Sequence, residues 1–197
     1  MVSLNPDGSK DSSFNVGTSI DAYVTIDWPT DIVADIAIQE DGKILVVARS
    51  NFYQGENWGV PLRINADGSV DEDFELGVSF SHGWVNKVAV QSDGKILVGG
   101  SFSTANVGGE GAQPQNRIMR LHPNGGKDFA FDINEGHEPA SGGFYQEGIN
   151  DIVIDPDGKI WVGGAGNGEA AAGDGCILVI GFQVTTGFVV NIVNVMI

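Results

Sequence analysis

The sequence contains little cysteine and few basic residues, and each shortage excludes a class of protein. Of its 197 residues only Cys176 is a cysteine, so no disulfide can form within the chain and no thiolate metal cluster is available. Ten lysines and arginines stand against 26 aspartates and glutamates, which gives a formal net charge of −16. This charge repels phosphate backbones and no segment carries a basic stripe, so we expect no nucleic-acid partner.

Signals for export and for catalysis are also missing. The amino terminus has no basic stretch followed by an apolar segment, so we expect no secretory signal. We find no serine elbow, phosphate-binding loop or dinucleotide fingerprint, and the histidines His82, His122 and His137 share no metal-ligand spacing. The sequence therefore predicts a protein that is not an enzyme and needs no metal or cofactor.

Two phrases recur three times each, in alternation, and they are the strongest pattern in the chain. The first phrase is centred on DGKIL or DGKIW and occupies residues 36–50, 88–102 and 152–166. The second phrase runs from an Asx-rich turn to a Phe and occupies residues 4–14, 64–74 and 121–131. Self-similarity at a period of about 50 to 65 residues is typical of a chain built from stacked copies of one supersecondary unit.

Each phrase has the composition of a β-hairpin, because Val- and Ile-rich runs flank an Asp-Gly or Asn-Gly pair. In the first phrases we expect tight primed turns with positive φ at both residues of the pair. These pairs are Asp41 and Gly42, Asp93 and Gly94, and Asp157 and Gly158. Two hairpins per repeat give four antiparallel strands, the content of one propeller blade. The predicted fold is all-β, a β-propeller-like repeat of about three four-stranded antiparallel blades over residues 1–166.

The two phrases resemble the delta-60 repeat, a bacterial and phage repeat of the form DGKILVGG followed by R-hydrophobic-NxDGSxDxxF. Residues 91–100 and 64–74 agree with this pattern almost residue for residue, and the resemblance extends over residues 1–166. It implies blades of a β-propeller, in extracellular or virion-associated modules that generally have no assigned reaction.

The last part of the chain departs from the repeat. Residues 167–175 are a Gly/Ala-rich join, and residues 176–197 carry no charge. We expect an apolar strand pair, 177–184 and 188–195, in preference to a membrane helix, because β-branched residues dominate and Thr185, Thr186 and Gly187 suit a hairpin loop. An uncharged strand pair would aggregate if it were exposed. We therefore expect it to serve assembly by packing against other subunits.

Three blades are fewer than the roughly four to eight that known propellers use. Residues 4–14 form a second phrase with no first phrase before it. Two interpretations follow: this segment completes the blade begun at Ile152, or several chains assemble so that their blades complete a ring. We therefore expect protein partners and a homo-oligomer.

An up-and-down meander places all Asp-Gly turns at one end of the sheets and the long connections at the other. The long connections carry large aromatic side chains, which stack on sugars and anchor protein interfaces, although rings there also cap blade ends. The predicted partner-binding residues, for a protein, a glycan or a cell-surface receptor, are Phe52, Tyr53, Trp58, Phe144 and Tyr145.

At the turns, alternating oxygens such as Asn5, Asp7, Ser9 and Asp11 have two interpretations. They suit calcium, or they satisfy the turn backbone, which Asx side chains commonly do. The sequence favours the turn.

Together these features predict a structural and recognition component of a larger assembly, namely a phage virion appendage such as a fibre or tail attachment protein, located in the virion. One alternative is a bacterial surface or secreted adhesion module. Another is a glycan-cleaving enzyme, which would need two facing carboxylates at the long-connection end.

Overall fold

The computed structural model describes residues 1–16, 32–53, 56–58, 61–74, 77–81, 83–108, 112–114, 117–131, 148–166, 176–185 and 188–196. Within these ranges the regular structure is all β, with antiparallel pairing throughout and no helix, so the predicted fold class is confirmed. The strands are β1 (Ile32–Ile38), β2 (Ile44–Tyr53), β3 (Glu56–Trp58), β4 (Pro61–Ile64), β5 (Val78–Ser81), β6 (Val85–Val90), β7 (Ile96–Gly100), β8 (Thr104–Val107), β9 (Ala112–Pro114), β10 (Ile118–Leu121), β11 (Gly148–Ile154), β12 (Ile160–Gly166), β13 (Cys176–Thr185) and β14 (Phe188–Met196).

The three first phrases form the hairpins β1–β2, β6–β7 and β11–β12 in one common register. Ile36 pairs with Val46, Val88 with Val98, and Ile152 with Val162. Each hairpin also has a β-bulge in its first strand, just before Asp35, Lys87 or Asp151. We call the units built on these hairpins blade 1 (β1, β2, β4), blade 2 (β6, β7, β10) and blade 3 (β11 to β14).

The hairpin turns differ from the primed turns expected from the sequence. In the first of them Gln39 N–H donates to Lys43 O at 2.8 Å and Gly42 N–H donates to Gln39 O at 3.0 Å, so the loop has three residues. Glycine alone takes the left-handed conformation, with φ of 83° at Gly42, 79° at Gly94 and 80° at Gly158. The preceding aspartates keep negative φ because a three-residue loop closes on a single left-handed residue.

The second phrases supply the outer part of blades 1 and 2. Strand β4 pairs with β2, and β10 pairs with β7. After each turn the chain returns through a single bridge, Ile64 to Val70 or Leu121 to Lys127, so the fourth position of these blades is very short. The second phrase nearest the amino terminus, residues 4–14, has the same kind of bridge, between Leu4 and Lys10.

The predicted carboxy-terminal strand pair is confirmed as β13 and β14. Strand β13 is one residue longer at each end than expected, and β14 is one residue longer at its carboxy end. Strand β13 also has a neighbour that the sequence did not predict, because it pairs with β12 of the same chain over the whole of β12, from Ile160–Phe182 to Gly166–Cys176. The expected packing of the pair against other subunits stays a prediction. The pair therefore completes a four-stranded sheet in blade 3. It holds the edge that residues 4–14 would need in order to close that blade within one chain. The join at 167–175 lies outside the described residues.

Consecutive blades pack face to face through apolar side chains. Leu45 and Val47 of blade 1 share a core with Val88 and Val98 of blade 2, and all four are buried. Between blades 2 and 3 the shared core contains Leu97, Ile149, Ile152 and Val162. Burying each such side chain contributes about 1.5 to 3 kcal/mol, so stacking of the blades stabilises the fold.

A buried cluster of charges joins the two phrases within blade 1. The guanidinium of Arg63 donates from Nε to Asp71 Oδ2 at 2.5 Å, and Lys43 Nζ of the first phrase donates to the same oxygen at 2.8 Å. The Arg63 guanidinium also stacks 4.5 Å from the centre of the Phe74 ring. Both Arg63 and Asp71 are more than nine-tenths buried, so each charge depends on the other.

Blade 2 repeats this cluster with Arg120, Asp128, Lys95 and Phe131. Arg120 Nε lies 2.9 Å and Lys95 Nζ 3.5 Å from Asp128 Oδ2, while the guanidinium lies 4.6 Å from the ring centre of Phe131. The Lys of the first phrase and the Arg, Asp and Phe of the second are thus one structural unit. We call it the Arg–Asp–Lys cluster.

Replacing Asp128 by Asn should destabilise the fold by about 3 kcal/mol, because Arg120 would be left buried without its counter-ion. Chemical denaturation measures the loss. Replacement of the half-exposed Asp93 by Asn is the control and should change stability by less than about 0.5 kcal/mol. Equal losses from the two variants would contradict the role of the cluster.

The clusters also predict how stability depends on pH. Burial alone would raise the pKa of Asp71 and Asp128, but the facing Lys and Arg side chains, together with a backbone N–H, bring both pKa values below the ordinary 3.8. A carboxylate with a lowered pKa in the folded state contributes stability that is fully present above its ordinary pKa. That contribution is lost as pH falls through the lowered pKa. Stability should therefore fall steeply below about pH 4, and D71N/D128N should flatten that fall in denaturation curves measured across this range.

Replacing Gly94 by Val should cost about 1 to 3 kcal/mol, since its φ of 79° disfavours a β-branched side chain. Thermal or urea unfolding measures the change. Gly77→Val is the matched control, because a side chain at Gly77 meets nothing within 4 Å and its φ lies outside the left-handed region. If Gly94→Val were as stable as Gly77→Val, the turn assignment would be wrong.

Candidate recognition surface

The blades present two different ends. At one end lie the Asx-Gly turns, and in blades 1 and 2 the two turns of a blade pack beside each other: a Cβ placed on Gly42 would lie 3.8 Å from Ala66 Cβ, and one placed on Gly94 would lie 3.4 Å from Pro123 Cγ. We call this the turn end. Strands β1, β6 and β11 run toward it and β2, β7 and β12 run away from it, so the chain enters and leaves each hairpin at the opposite end, which we call the ribbon end.

The oxygens at the turn end serve the turns. Asp7 Oδ1 accepts hydrogen bonds from the backbone N–H and the hydroxyl of Ser9 at 2.9 and 2.7 Å, and Asp67 Oδ1 accepts the same pair from Ser69. These bonds lower the pKa of both exposed aspartates. Across the described ranges, no group of three or more His, Cys, Asp or Glu side chains is placed to hold a metal ion. The geometry is that of Asx turns.

Asp155 and Asp157 are a pair of carboxylates in the first phrase at residues 152–166. They also have structural contacts. Asp155 Oδ2 accepts a hydrogen bond from Trp161 Nε1 at 3.0 Å, and its Oδ1 accepts from the backbone N–H groups of Asp157 and Lys159. These bonds lower the pKa of Asp155, the Trp161 bond most. This carboxylate stays ionised and fixes the turn.

At the ribbon end the connections form strands of their own, where the sequence suggested loops. Strand β2 is ten residues long, but only Ile44–Val47 pairs with β4. Beyond that point β2 pairs with β3, with Ser50 opposite Trp58 and Tyr53 opposite Glu56. We call this extension, residues 50–53 of β2 and 56–58 of β3, the ribbon.

A second extension stands beside the ribbon. Strands β5, β8 and β9 form a separate three-stranded sheet that continues from the β6–β7 hairpin, and β3 contacts β5. This sheet is anchored in the core, because Phe80 and Phe102 are fully buried with ring centres 4.6 Å apart. Regular β-structure therefore forms the ribbon end of blades 1 and 2.

The five predicted partner-binding residues fall into two groups. Phe52 and Tyr53 lie in β2 and Trp58 lies in β3, so three of them share the ribbon. Phe144 and Tyr145 lie outside the described residues. Binding at these five positions remains a prediction.

Where neighbouring blades meet, the structure reveals a charged contact that sequence reasoning missed. Lys87 Nζ lies 3.4 Å from Asp35 Oδ1 of blade 1 and 3.2 Å from Asp151 Oδ1 of blade 3. The three side chains occupy equivalent positions directly after each bulge. The charge alternates at the residue just before each first phrase, so an alignment extended by one residue toward the amino terminus would have shown it.

Lys87 thus connects three blades, and its charge is held by its neighbours. Burial alone would lower the pKa of Lys87, but Asp151 and Asp35 bring it above the ordinary 10.5. The contact is a structural ion pair, with its charges satisfied by one another.

Comparisons with known proteins agree with this architecture. A family described as "Domain of unknown function (DUF5122) beta-propeller" matches residues 39–74 and 91–131, in each case from the turn of a first phrase to the Phe of the next second phrase. A "Two component regulator propeller" family matches residues 146–166, which contain the β11–β12 hairpin. No curated protein and no solved structure matches the chain. The chain is a β-propeller-type repeat protein.

The described ranges contain no helix that is long and apolar enough to cross a membrane.

Replacing Lys87 by Met should destabilise the fold by about 1 to 2 kcal/mol, because Asp35 and Asp151 lose their shared counter-ion. The stability that a lysine with a raised pKa contributes is fully present below the ordinary pKa of lysine. The loss caused by Lys87→Met should therefore be constant across the neutral pH range. Denaturation at several pH values measures it. The exposed Lys10→Met is the control, and an equal effect of the two variants would contradict the contact between blades.

Proposed function

We propose that this protein is a non-enzymatic structural and recognition module that binds its partners at the ribbon end. Propeller domains commonly serve such roles, because a rigid stack of blades holds its end connections in fixed positions. The observation that carries the proposal is the ribbon, an extension of β2 and β3 beyond the part of β2 that pairs with β4. Three of the predicted aromatic residues lie on it.

The assembly that this module joins is proposed to be a phage virion, in which the protein is an appendage such as a fibre or tail attachment protein. The support is the delta-60 pattern of the two phrases, whose Lys, Arg, Asp and Phe residues form the Arg–Asp–Lys cluster. The high negative charge suits a surface component that must stay soluble. A bacterial adhesion module would carry the same repeats, and immunodetection in purified virions separates the two locations.

Alanine at Phe52, Tyr53 and Trp58 together should weaken binding at the ribbon end by about 30-fold or more, since loss of an aromatic anchor typically costs at least about 2 kcal/mol. A glycan array, followed by titration of the ligands it selects, measures the affinity. Assay of released sugar in the same samples tests for cleavage.

The matched controls are Asp41→Asn and Asp157→Asn at the turn end. Asp41 Oδ1 accepts a hydrogen bond from Lys43 N–H within its own turn, so its replacement should leave binding within about twofold. Binding that survives the triple replacement, or that is lost with either turn variant, would contradict recognition at the ribbon end.

A further inference from the structure

The two faces of each hairpin have different neighbours. We call the face that carries Ile36, Val88 or Ile152 the leading face and the opposite one the trailing face. In blades 2 and 3 the leading face is covered by the trailing face of the preceding blade, and Val88 and Ile152 are only 3% and 4% exposed. In blade 1 the equivalent Ile36 is 51% exposed.

The other β1 residues on this face show the same contrast. Val33 is 53% exposed, whereas its equivalents Val85 and Ile149 are 0% and 9% exposed. Ile38, the next residue on the face, is 69% exposed. The same apolar positions that stack on a neighbour in blades 2 and 3 are therefore accessible in blade 1.

The trailing face of blade 3 has a matching space. A Cβ placed on Gly99 of blade 2 would lie 2.8 Å from Ile149 Cγ2 and 2.9 Å from Ile152 Cδ1, because these side chains fill the space above that glycine. A Cβ placed on the equivalent Gly163 of blade 3 meets nothing within 4 Å, and Val153 beside it is 53% exposed. The side chains equivalent to Ile149 and Ile152 are Val33 and Ile36 of blade 1.

The amino-terminal second phrase is the outer half of a blade. Phe14 packs on Val46 and Ile64 of blade 1, as Phe131 packs on Ile152 of blade 3. Leu4, however, is 61% exposed, whereas the equivalent Leu121 is fully buried where it pairs with Ile96. Among the described residues, no strand of a first-phrase hairpin pairs with this phrase.

The amino-terminal second phrase and blade 3 carry complementary charges. Asp11 is the equivalent of Asp71 and Asp128, each of which has a first-phrase lysine within 3.5 Å. Asp11 instead accepts hydrogen bonds from the backbone and hydroxyl of Ser13. Lys159, the equivalent lysine of blade 3, lies 3.9 Å from the exposed Asp157.

We propose that two copies of this chain join head to tail through composite blades. The β11–β12 hairpin of one copy packs on the leading face of blade 1 of the other, and residues 4–14 of that other copy pair with β12 in place of β13. Leu4 then lies opposite Ile160 and Asp11 beside Lys159, in the register of Leu121 with Ile96. The same exchange in the reverse direction closes a ring of six blades, within the usual range of about four to eight.

The proposal rests on the assembly role in the proposed function and gives that role its first partner, a second copy. Its test needs no ligand, so failure to dimerise is separate from failure to bind at the ribbon end.

The first experiment is sedimentation velocity of the full chain over a concentration series, which should give twice the mass of one chain. Ile36→Asp on the leading face and Val153→Asp on the trailing face should each weaken the dimer by about tenfold or more, because each places a charge in an apolar contact. Both positions are about half exposed, so the fold should persist, as circular dichroism will show. Phe129→Asp, 74% exposed and on neither face, is the control and should leave the dimer unchanged.

The second experiment tests the exchanged phrase. Lys159→Asp should weaken the dimer about tenfold by facing Asp11, and the double variant D11K/K159D should restore it. If Lys159→Asp weakened the dimer and D11K/K159D did not restore it, the faces would dock with β13 in place. That result would overturn the composite blade. A chain that stays monomeric, a defined mass other than the dimer, or insensitivity to both face variants would overturn the proposal as a whole.

Discussion

The ion pair between a buried arginine and a buried aspartate is the constraint on which blades 1 and 2 depend. Arg63 with Asp71, and Arg120 with Asp128, tie the outer strand of each blade to the turn that follows it. The lysine of the preceding hairpin reaches the same carboxylate, so the first and second phrases must fold together. This explains why the two phrases alternate along the chain, and why short strands with a single closing bridge form a blade at all.

Much of the local structure could be predicted from the sequence, because hairpins follow from apolar runs around an Asx-Gly pair. The turn type was wrong, since Asp-Gly fits both a two-residue primed turn and the three-residue loop observed, and the choice depends on the register of the flanking strands. The carboxy-terminal pair also has an in-chain neighbour that was not predicted. Strand β13 pairs with β12 of its own chain, a contact that an uncharged sequence does not specify.

The candidate surface was less accessible to sequence reasoning. Phe52, Tyr53 and Trp58 were located by counting connections in a meander, which gives the end of the sheet correctly. That two of these connections form a ribbon and a separate sheet depends on pairing between distant segments, such as β5 with β8. The contact of Lys87 with Asp35 and Asp151 likewise joins residues of three repeats, so no single repeat predicts it.

Amide hydrogen exchange at Asp71 and Asp128 tests the central claim most directly. Their N–H groups donate to the carbonyls of Arg63 and Arg120 at 3.0 and 2.9 Å, inside the two clusters. If each cluster holds its own blade together, both amides should exchange only through global unfolding, with the same free energy as Val98 in the core of blade 2. Exchange of either amide at the rate of a fraying surface turn, while Val98 stays protected, would contradict the account.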